Sequence, residues 1–158
     1  SHLMAGGMML NNQLTDFSFL PEVDGEPVAN AVAPGKRPRS SMTPVIMYDA
    51  NDDFYAAIGS PGGSRIIAYV TQSVIALLDW EMDMKSAISL PRFVDRNGPL
   101  EIEAGTSLEE LKPLLEQLGH KVEARELMSG LHGIRVTPQG LDGAADPRRD
   151  GNVITELP

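Results

Sequence analysis

Phe54-Tyr55-Ala56-Ala57-Ile58-Gly59-Ser60-Pro61-Gly62-Gly63-Ser64-Arg65-Ile66-Ile67 is the stretch from which the fold is read. Phe54 to Ile58 is an apolar run of strand length, and Gly59 to Ser64 is a turn built around two adjacent glycines. Beyond it Ile66, Ile67, Val70, Val74, Leu77 and Leu78 recur at helical spacing, which predicts a helix over about 64–80. A strand, a glycine turn and a helix therefore follow in order. Upstream, Val45-Ile46-Met47-Tyr48 and the polar Asn51-Asp52-Asp53 complete a hairpin with Phe54–Ile58.

Downstream the spacing predicts a second helix near 83–89, stopped ahead of Pro91 because the residue before proline avoids the α region. Leu100-Glu101-Ile102-Glu103 alternates as a strand. Thr106-Ser107-Leu108-Glu109-Glu110 has the hydroxyl-to-Glu spacing of a capping box and opens a helix through Leu111, Leu114, Leu115 and Leu118 that Gly119 closes. Residues 121–125 and 133–136 read as strands, and the chain from Gly140 reads as turn-rich. The first forty residues read as a strand end at Met8-Met9-Leu10 followed by a long loop, a kind of loop that is usually functional. The order from residue 44 is β-β-α-α-β-α-β-β, so the fold class expected is α/β (α+β). Ser1-His2-Leu3-Met4 (1–4) reads as the remnant of a cleaved tag, leaving 5–158 as one domain or one piece of a larger one.

Composition excludes several functions. With 22 acidic against 13 basic residues and a formal charge of −9, the chain repels phosphate backbones and anionic headgroups, so neither nucleic acid nor a membrane surface is an expected partner. No apolar run reaches the length of a bilayer span. Without cysteine there is no disulfide, thiolate metal site or cysteine nucleophile. His120 and His132 stand alone without metal-ligand spacing, the eight methionines read as gap-filling core or linker positions rather than a metal box, and Lys112, Glu116 and Lys121 read as a solvated face.

Three segments carry polar groups that chemistry could use. Asn11-Asn12-Gln13-Leu14-Thr15-Asp16-Phe17-Ser18 is, on its residues alone, a turn with local Asx bonds, or else a place where Gln13 and Asp16 converge on an ammonium group through charge-assisted bonds. Lys36-Arg37-Pro38-Arg39-Ser40-Ser41-Met42-Thr43-Pro44 is either a solvated basic turn or a pair of hydroxyls, Ser40 and Ser41, backed by cations and able to hold a carboxylate. Gly59–Arg65 is either a tight connection or a helix N-terminus whose unpaired N–H groups can stabilise an oxyanion. It is neither a dinucleotide fingerprint nor a phosphate loop with its G-K-[ST] ending.

Taken in order, Leu10-Asn11-Asn12-Gln13 with Asp16-Phe17-Ser18, Gly35-Lys36-Arg37-Pro38 with Ser40-Ser41-Met42 and Pro44, and Gly59-Ser60-Pro61-Gly62-Gly63-Ser64-Arg65-Ile66-Ile67 resemble the small subunit of the γ-glutamyltranspeptidases, and Gly143-Ala144-Ala145-Asp146-Pro147-Arg148-Arg149 resembles that family's C-terminal ending. The resemblance covers nearly the whole chain from about Gly6. It implies part of an N-terminal-nucleophile hydrolase αββα sandwich, made as a zymogen that cuts itself before a catalytic threonine. It implies that Gln13 and Asp16 bind the α-ammonium of a γ-glutamyl donor such as glutathione, that Ser40 and Ser41 bind its α-carboxylate, and that the N–H groups of Gly62 and Gly63 form the oxyanion hole. Water or an amino acid is the implied acceptor, no metal or organic cofactor is implied, and the implied location of the parent enzyme is periplasmic or extracellular.

The chain also departs from that pattern. The family's nucleophilic threonine lies upstream of the Asn-Asn-Gln motif, and no threonine precedes Thr15 here. The large subunit and the start of the small one are expected partners, and this polypeptide by itself is expected to be an inert structural or ligand-binding piece. Phe19 to Asn30 stands where some relatives carry a lid and is short. A cephalosporin or glutaryl acylase of the same superfamily is the alternative, opposed by Asp16, since a glutaryl group has no ammonium to pair. Lacking neighbouring strands, the chain is expected to self-associate through an open strand edge or sheet face near Val45 and Met47.

Overall fold

A computed structural model describes residues 3–154 and divides the chain into two compact units, 1–40 and 41–158. In the first unit, strands β1 (Met4–Ala5) and β2 (Met8–Met9) pair as one antiparallel hairpin, and β3 (Glu22–Val23) and β4 (Glu26–Pro27) as another. The long loop expected here is thus interrupted twice. Gly6-Gly7 and Asp24-Gly25 each have two successive positive φ values, the backbone of the two-residue turn whose twist matches a hairpin. Of the residues read as a tag remnant, Ser1 and His2 lie outside the described residues, and Met4 pairs with Met9.

The second unit is mixed α/β, as the sequence predicts. Its four-stranded antiparallel sheet runs β11-β10-β6-β5, with β5 Val45–Tyr48, β6 Phe54–Gly59, β10 His132–Thr137 and β11 Gly140–Ala145. The register puts Val45, Ile58, Gly133 and Ala144 in one row and Ile46, Ala57, Ile134 and Gly143 in the next. Side chains alternate across a strand, so the first row faces the core and the second faces away. Helices α1 (Ile66–Leu78) and α2 (Met84–Ser89) cover the core face with Tyr69, Val70, Leu77, Met84 and Ile88. Val45 and Met47 pack against that core, and their neighbours Ile46 and Tyr48 are the exposed ones, at 63% and 62%. Among the described residues β5 has a strand partner on one side only, and the residues it exposes are Ile46 and Tyr48 rather than Val45 and Met47.

The strand β11 corrects the turn-rich reading of the chain from Gly140. Gly143-Ala144-Ala145 has no apolar alternation to betray a strand, yet it pairs residue by residue with β10. Downstream of Asp83, whose carboxylate caps α2 by accepting from the Ser86 N–H at 2.7 Å, a three-stranded sheet forms from β7 (Phe93–Val94), β8 (Leu100–Glu103) and β9 (Val122–Arg125). β8 and β9 are parallel, which requires a crossover, and α3 (Leu108–Gln117) supplies it.

The capping of α3 differs in detail from the sequence pattern. Glu109 reaches back to the Gly105 N–H at 2.7 Å, and Thr106 rather than Ser107 faces the Leu108 N–H, at 3.4 Å. The C-terminus closes as expected: the His120 N–H bonds to Leu115 and the Gly119 N–H to Glu116 around Gly119 at φ 94°. Among the described residues no helix is long and apolar enough to cross a membrane.

A buried ionic network joins the two sheets to α2. Asp146, 1% exposed, accepts from Ser129 Oγ at 2.5 Å, the Leu131 N–H at 3.0 Å, and the N–H and guanidinium of Arg148, both at 3.0 Å. Arg148 also grips both oxygens of Glu103 at 2.6 and 2.8 Å and donates to the Leu90 carbonyl at 2.8 Å, just past the end of α2. The N–H of the fully buried Arg92 binds Glu103 Oε2 at 2.7 Å, while its guanidinium donates to Gln72, Ser73, Ala87 and Ile88. Burial, helped by the positive charge of Arg148, lowers the Arg92 guanidinium to about 10.

Burial alone would raise the Asp146 carboxyl, but the bonds from Ser129, Leu131 and Arg148 outweigh it and hold it below the ordinary range. A depressed carboxylate contributes stability above its unfolded value, near about 4, and loses it as pH falls toward its folded value. Asp146→Asn is expected to destabilise the second unit by ~3 kcal/mol at pH 7, the scale for breaking a buried ion pair. The deficit should narrow below pH ~4, where the wild-type carboxylate also begins to protonate. Urea denaturation followed by Trp80 fluorescence at pH 7 and pH 3 measures both, and an equal deficit at the two values would contradict the assignment.

Candidate functional site

The glycine turn sits between the end of β6 and the start of α1. Gly62 has φ 142° and Gly63 φ 59°, and a single 3-10 turn over Gly63–Arg65 leads into α1. Both values lie where side-chain-bearing residues are strained, so the turn requires glycine twice. At Gly62 an added Cβ would also stand 3.0 Å from the Tyr69 ring. Neither glycine N–H donates to any described residue, while the Gly62 carbonyl accepts from Arg65 at 3.3 Å. Two unpaired amide donors at the positive end of a thirteen-residue helix form a place for developing negative charge.

The residues flanking the turn are tied down. On the entry side the Ser60 hydroxyl donates to the Pro61 carbonyl at 2.7 Å and accepts from the Gly130 N–H at 3.2 Å. A Cβ at Gly130 would lie 2.7 Å from Pro61 and from Arg149, so only glycine lets the 127–131 segment approach this closely. On the exit side Arg65 makes a two-pronged bond to Glu101 at 2.7 and 2.9 Å, and Arg96 joins Ser64 Oγ at 2.8 Å to Glu101 at 3.1 Å. The Arg65 bond, larger than the opposing effect of burial, holds the Glu101 carboxyl below its usual range.

In the first unit Gln13 and Asp16 come together. A 3-10 turn over Gln13–Asp16 places Gln13 Nε2 2.8 Å from Asp16 Oδ2, with both side chains half-buried. This bond leaves Gln13 Oε1 and Asp16 Oδ1 as acceptors for a further donor. The turn is held by the Thr15 hydroxyl on the Asn12 carbonyl at 2.7 Å, and by Asn30, which donates to the Asp16 carbonyl at 2.6 Å and accepts from the Arg39 N–H at 2.9 Å. The local Asx bond of the bland reading is present too, from the Gln13 N–H to Asn11 at 2.9 Å. Ser40 is exposed and ends the first unit. Ser41 is half-buried and opens the second, its carbonyl accepting from Thr43 Oγ1 at 2.9 Å.

Sequence reasoning named the turn but not the residues that hold it. Glu101, Arg96, Ser129 and Gly130 lie between 30 and 70 residues from it along the chain, and no local pattern connects them. Asp146 and Arg148 entered only as part of a terminal resemblance. Among the described residues no cluster of His, Cys, Asp or Glu could hold a metal ion.

The profile of the γ-glutamyltranspeptidase family matches residues 1–156. The glutathione hydrolase proenzyme of Escherichia coli (strain K12) is 43% identical over 152 residues, covering 90% of this chain and 26% of that protein. The chain thus spans about a quarter of the length of the curated relatives it matches. Of the solved structures, an acivicin-inhibited γ-glutamyltranspeptidase, whose C-terminus has critical roles in its autoprocessing and catalysis, aligns with a TM-score of 0.79 at 33% identity, over 96% of this chain and 86% of that one. A cephalosporin acylase from Bacillus halodurans aligns with a TM-score of 0.76 at 25% identity, over 96% of this chain and 28% of that one.

The two glycines should not be equally replaceable. Gly63→Ala places a Cβ in open space at a left-handed φ and is expected to cost roughly 1 kcal/mol. Gly62→Ala meets both a forbidden φ and the Tyr69 ring, and should cost ~3 kcal/mol. Thermal denaturation of the two variants compares them, and a Gly63→Ala loss equal to or larger than that of Gly62→Ala would contradict the geometry.

Proposed function

This chain belongs to the γ-glutamyltranspeptidase family, and we propose that it is the donor-binding and oxyanion-stabilising part of an enzyme that moves the γ-glutamyl group of glutathione or a related donor to water or an amino acid. The observation that carries the reading is the Gly62-Gly63 turn, with two unpaired N–H groups at the start of α1. When a hydroxyl attacks the γ-carbonyl, the carbonyl oxygen takes up a full negative charge in the tetrahedral intermediate. Donors already in place stabilise that charge without reorganising, and losing one such donor typically costs about 2.7–4 kcal/mol. Collapse expels the donor's amine and leaves a γ-glutamyl ester, which water or an amino-acid amine then attacks.

In this reading Asp16 and Gln13 receive the donor's α-ammonium, Asp16 by charge and Gln13 through Oε1. Ser40 and Ser41 donate to its α-carboxylate. The attacking threonine comes from outside the 158 residues, as the family pattern places it before Asn11, and a large subunit and the start of the small one are the natural partners. The polypeptide alone binds without turning over. The acylase likeness supports a second reading, a glutaryl donor, in which Asp16 would face no ammonium.

Kinetics of the complete enzyme test the assignment. Asp16→Ala should lower kcat/KM for a γ-glutamyl anilide by roughly 100-fold, the equivalent of ~3 kcal/mol for leaving a desolvated ammonium unpaired. Ser18→Ala should change it less than threefold, because Ser18 Oγ only bonds the nearby Leu20 carbonyl at 2.8 Å. Equal effects refute the ammonium site, and efficient glutaryl hydrolysis that survives Asp16→Ala supports the second reading. The 158-residue polypeptide should release no aniline above a heat-killed control.

A further inference from the structure

Glu101 is a carboxylate, 6% exposed, set in β8 of the smaller sheet and far in sequence from every motif that names the family. Arginines converge on it. Arg65 binds both of its oxygens, Arg96 binds Oε1 at 3.1 Å, and Arg125 stands 3.7 Å from the same oxygen. Arg96 also donates from its second nitrogen to Ser64 Oγ. Ser64 and Arg65 are the two residues that leave the glycine turn, so Glu101 holds both through guanidinium groups. Their amides follow Gly63 directly, and rotation of either would swing the Gly62 and Gly63 N–H groups.

We propose that Glu101 is a positioning residue for the glycine turn, fixing through Arg65 and Arg96 the direction in which the Gly62 and Gly63 N–H groups point. The role rests on the oxyanion reading of that turn only for its catalytic consequence; the positioning itself is a statement about geometry. Stabilisation by fixed donors depends on their being held within a fraction of an ångström by a supporting shell. The turn's internal bonds end on the Gly62 and Gly63 carbonyls, while the N–H groups of these two glycines bond to none of the described residues and two glycines give the loosest backbone available, so their direction needs outside support. On the entry side Gly130 and Pro61 lock it by contact. On the exit side the lock is this ionic clamp.

Geometry and electrostatics make opposite predictions when the clamp is removed. A cation at a helix N-terminus opposes the helix dipole, and Glu101 neutralises Arg65 there. Without the carboxylate charge, Arg65 adds positive potential beside the turn and, on charge alone, would favour an oxyanion and raise kcat. Loss of alignment lowers kcat. Donor affinity belongs to other residues in either case, so KM for the donor should stay nearly constant.

The test has two arms. In the 158-residue chain labelled with 15N-glycine, Glu101→Gln and Arg96→Ala should shift the Gly62 and Gly63 amide resonances and leave those of Gly105 and Gly140 in place. In the complete enzyme, Glu101→Gln should lower kcat about tenfold with KM within twofold, and Arg96→Ala, on a side chain 41% exposed, by a smaller factor in the same direction. If Glu101→Gln does not fold, Arg96→Ala carries both arms alone. Unmoved glycine resonances, or a raised kcat, overturn the proposal. Moved resonances with kcat unchanged in these variants and in Gly63→Ala uphold the positioning role and refute the oxyanion reading instead.

Discussion

The guanidinium of Arg148 is the point on which the second unit closes. It binds Glu103 of one sheet, Asp146 just beyond the last strand of the other, and the carbonyl of Leu90 where α2 ends. Asp146 in turn gathers Ser129 and the Leu131 N–H, and so shapes the segment whose Gly130 touches Pro61. Replacing buried ions by apolar groups of similar volume is often neutral or stabilising, since burying ions is expensive. What ions add is direction. Each bond in the network has a preferred angle, and the chain of them runs from Arg148 through Asp146 to the 129–131 segment at the entry of the glycine turn.

Much of the second unit was legible because its elements carry periodic apolar residues. Val45–Tyr48, Phe54–Ile58 and the helix after the turn bury alternate or helically spaced side chains against one another, and a pattern of that kind survives without the partner in view. β11 was not legible for the complementary reason. Its Gly143 and Ala144 pair with β10 through their backbones, and small residues leave no apolar signature. The hairpin at Asp24-Gly25 was legible in principle. That dipeptide is among the strongest short turn signals, and its flanks, Glu22-Val23 and Glu26-Pro27, are merely too short to read as strands.

The candidate site divides in the same way. Glycines that a turn demands and amides that a short 3-10 turn brings together announce themselves locally, and Gln13 is indeed bonded to Asp16 three residues on. Residues that act by holding others do not, because Glu101 or Gly130 looks like any strand carboxylate or loop glycine until its distant partner is known. The motif residues are legible in the sequence, while the residues that keep those motifs in register are legible only in the fold.

Helix α3 shows what the chain gives up in one place. It contains Pro113 in its interior, which removes one backbone hydrogen bond, and none of its residues is fully buried, with Leu111 and Leu114 exposed at 46% and 55% and Leu118, just past its end, at 70%. Its caps are well made, so it persists as a helix, yet little apolar contact ties it to the strands it connects. Local opening follows such contacts rather than caps. The amide hydrogens of α3 should therefore trade with solvent deuterium well before those of α1, whose Tyr69, Val70 and Leu77 are each no more than 2% exposed. The parallel pair β8–β9 is thus joined by a helix with no fully buried residue, and in an excursion of α3 the strand β8, with Glu101 on it, relies on its strand partners, the buried Ile102 and the arginines.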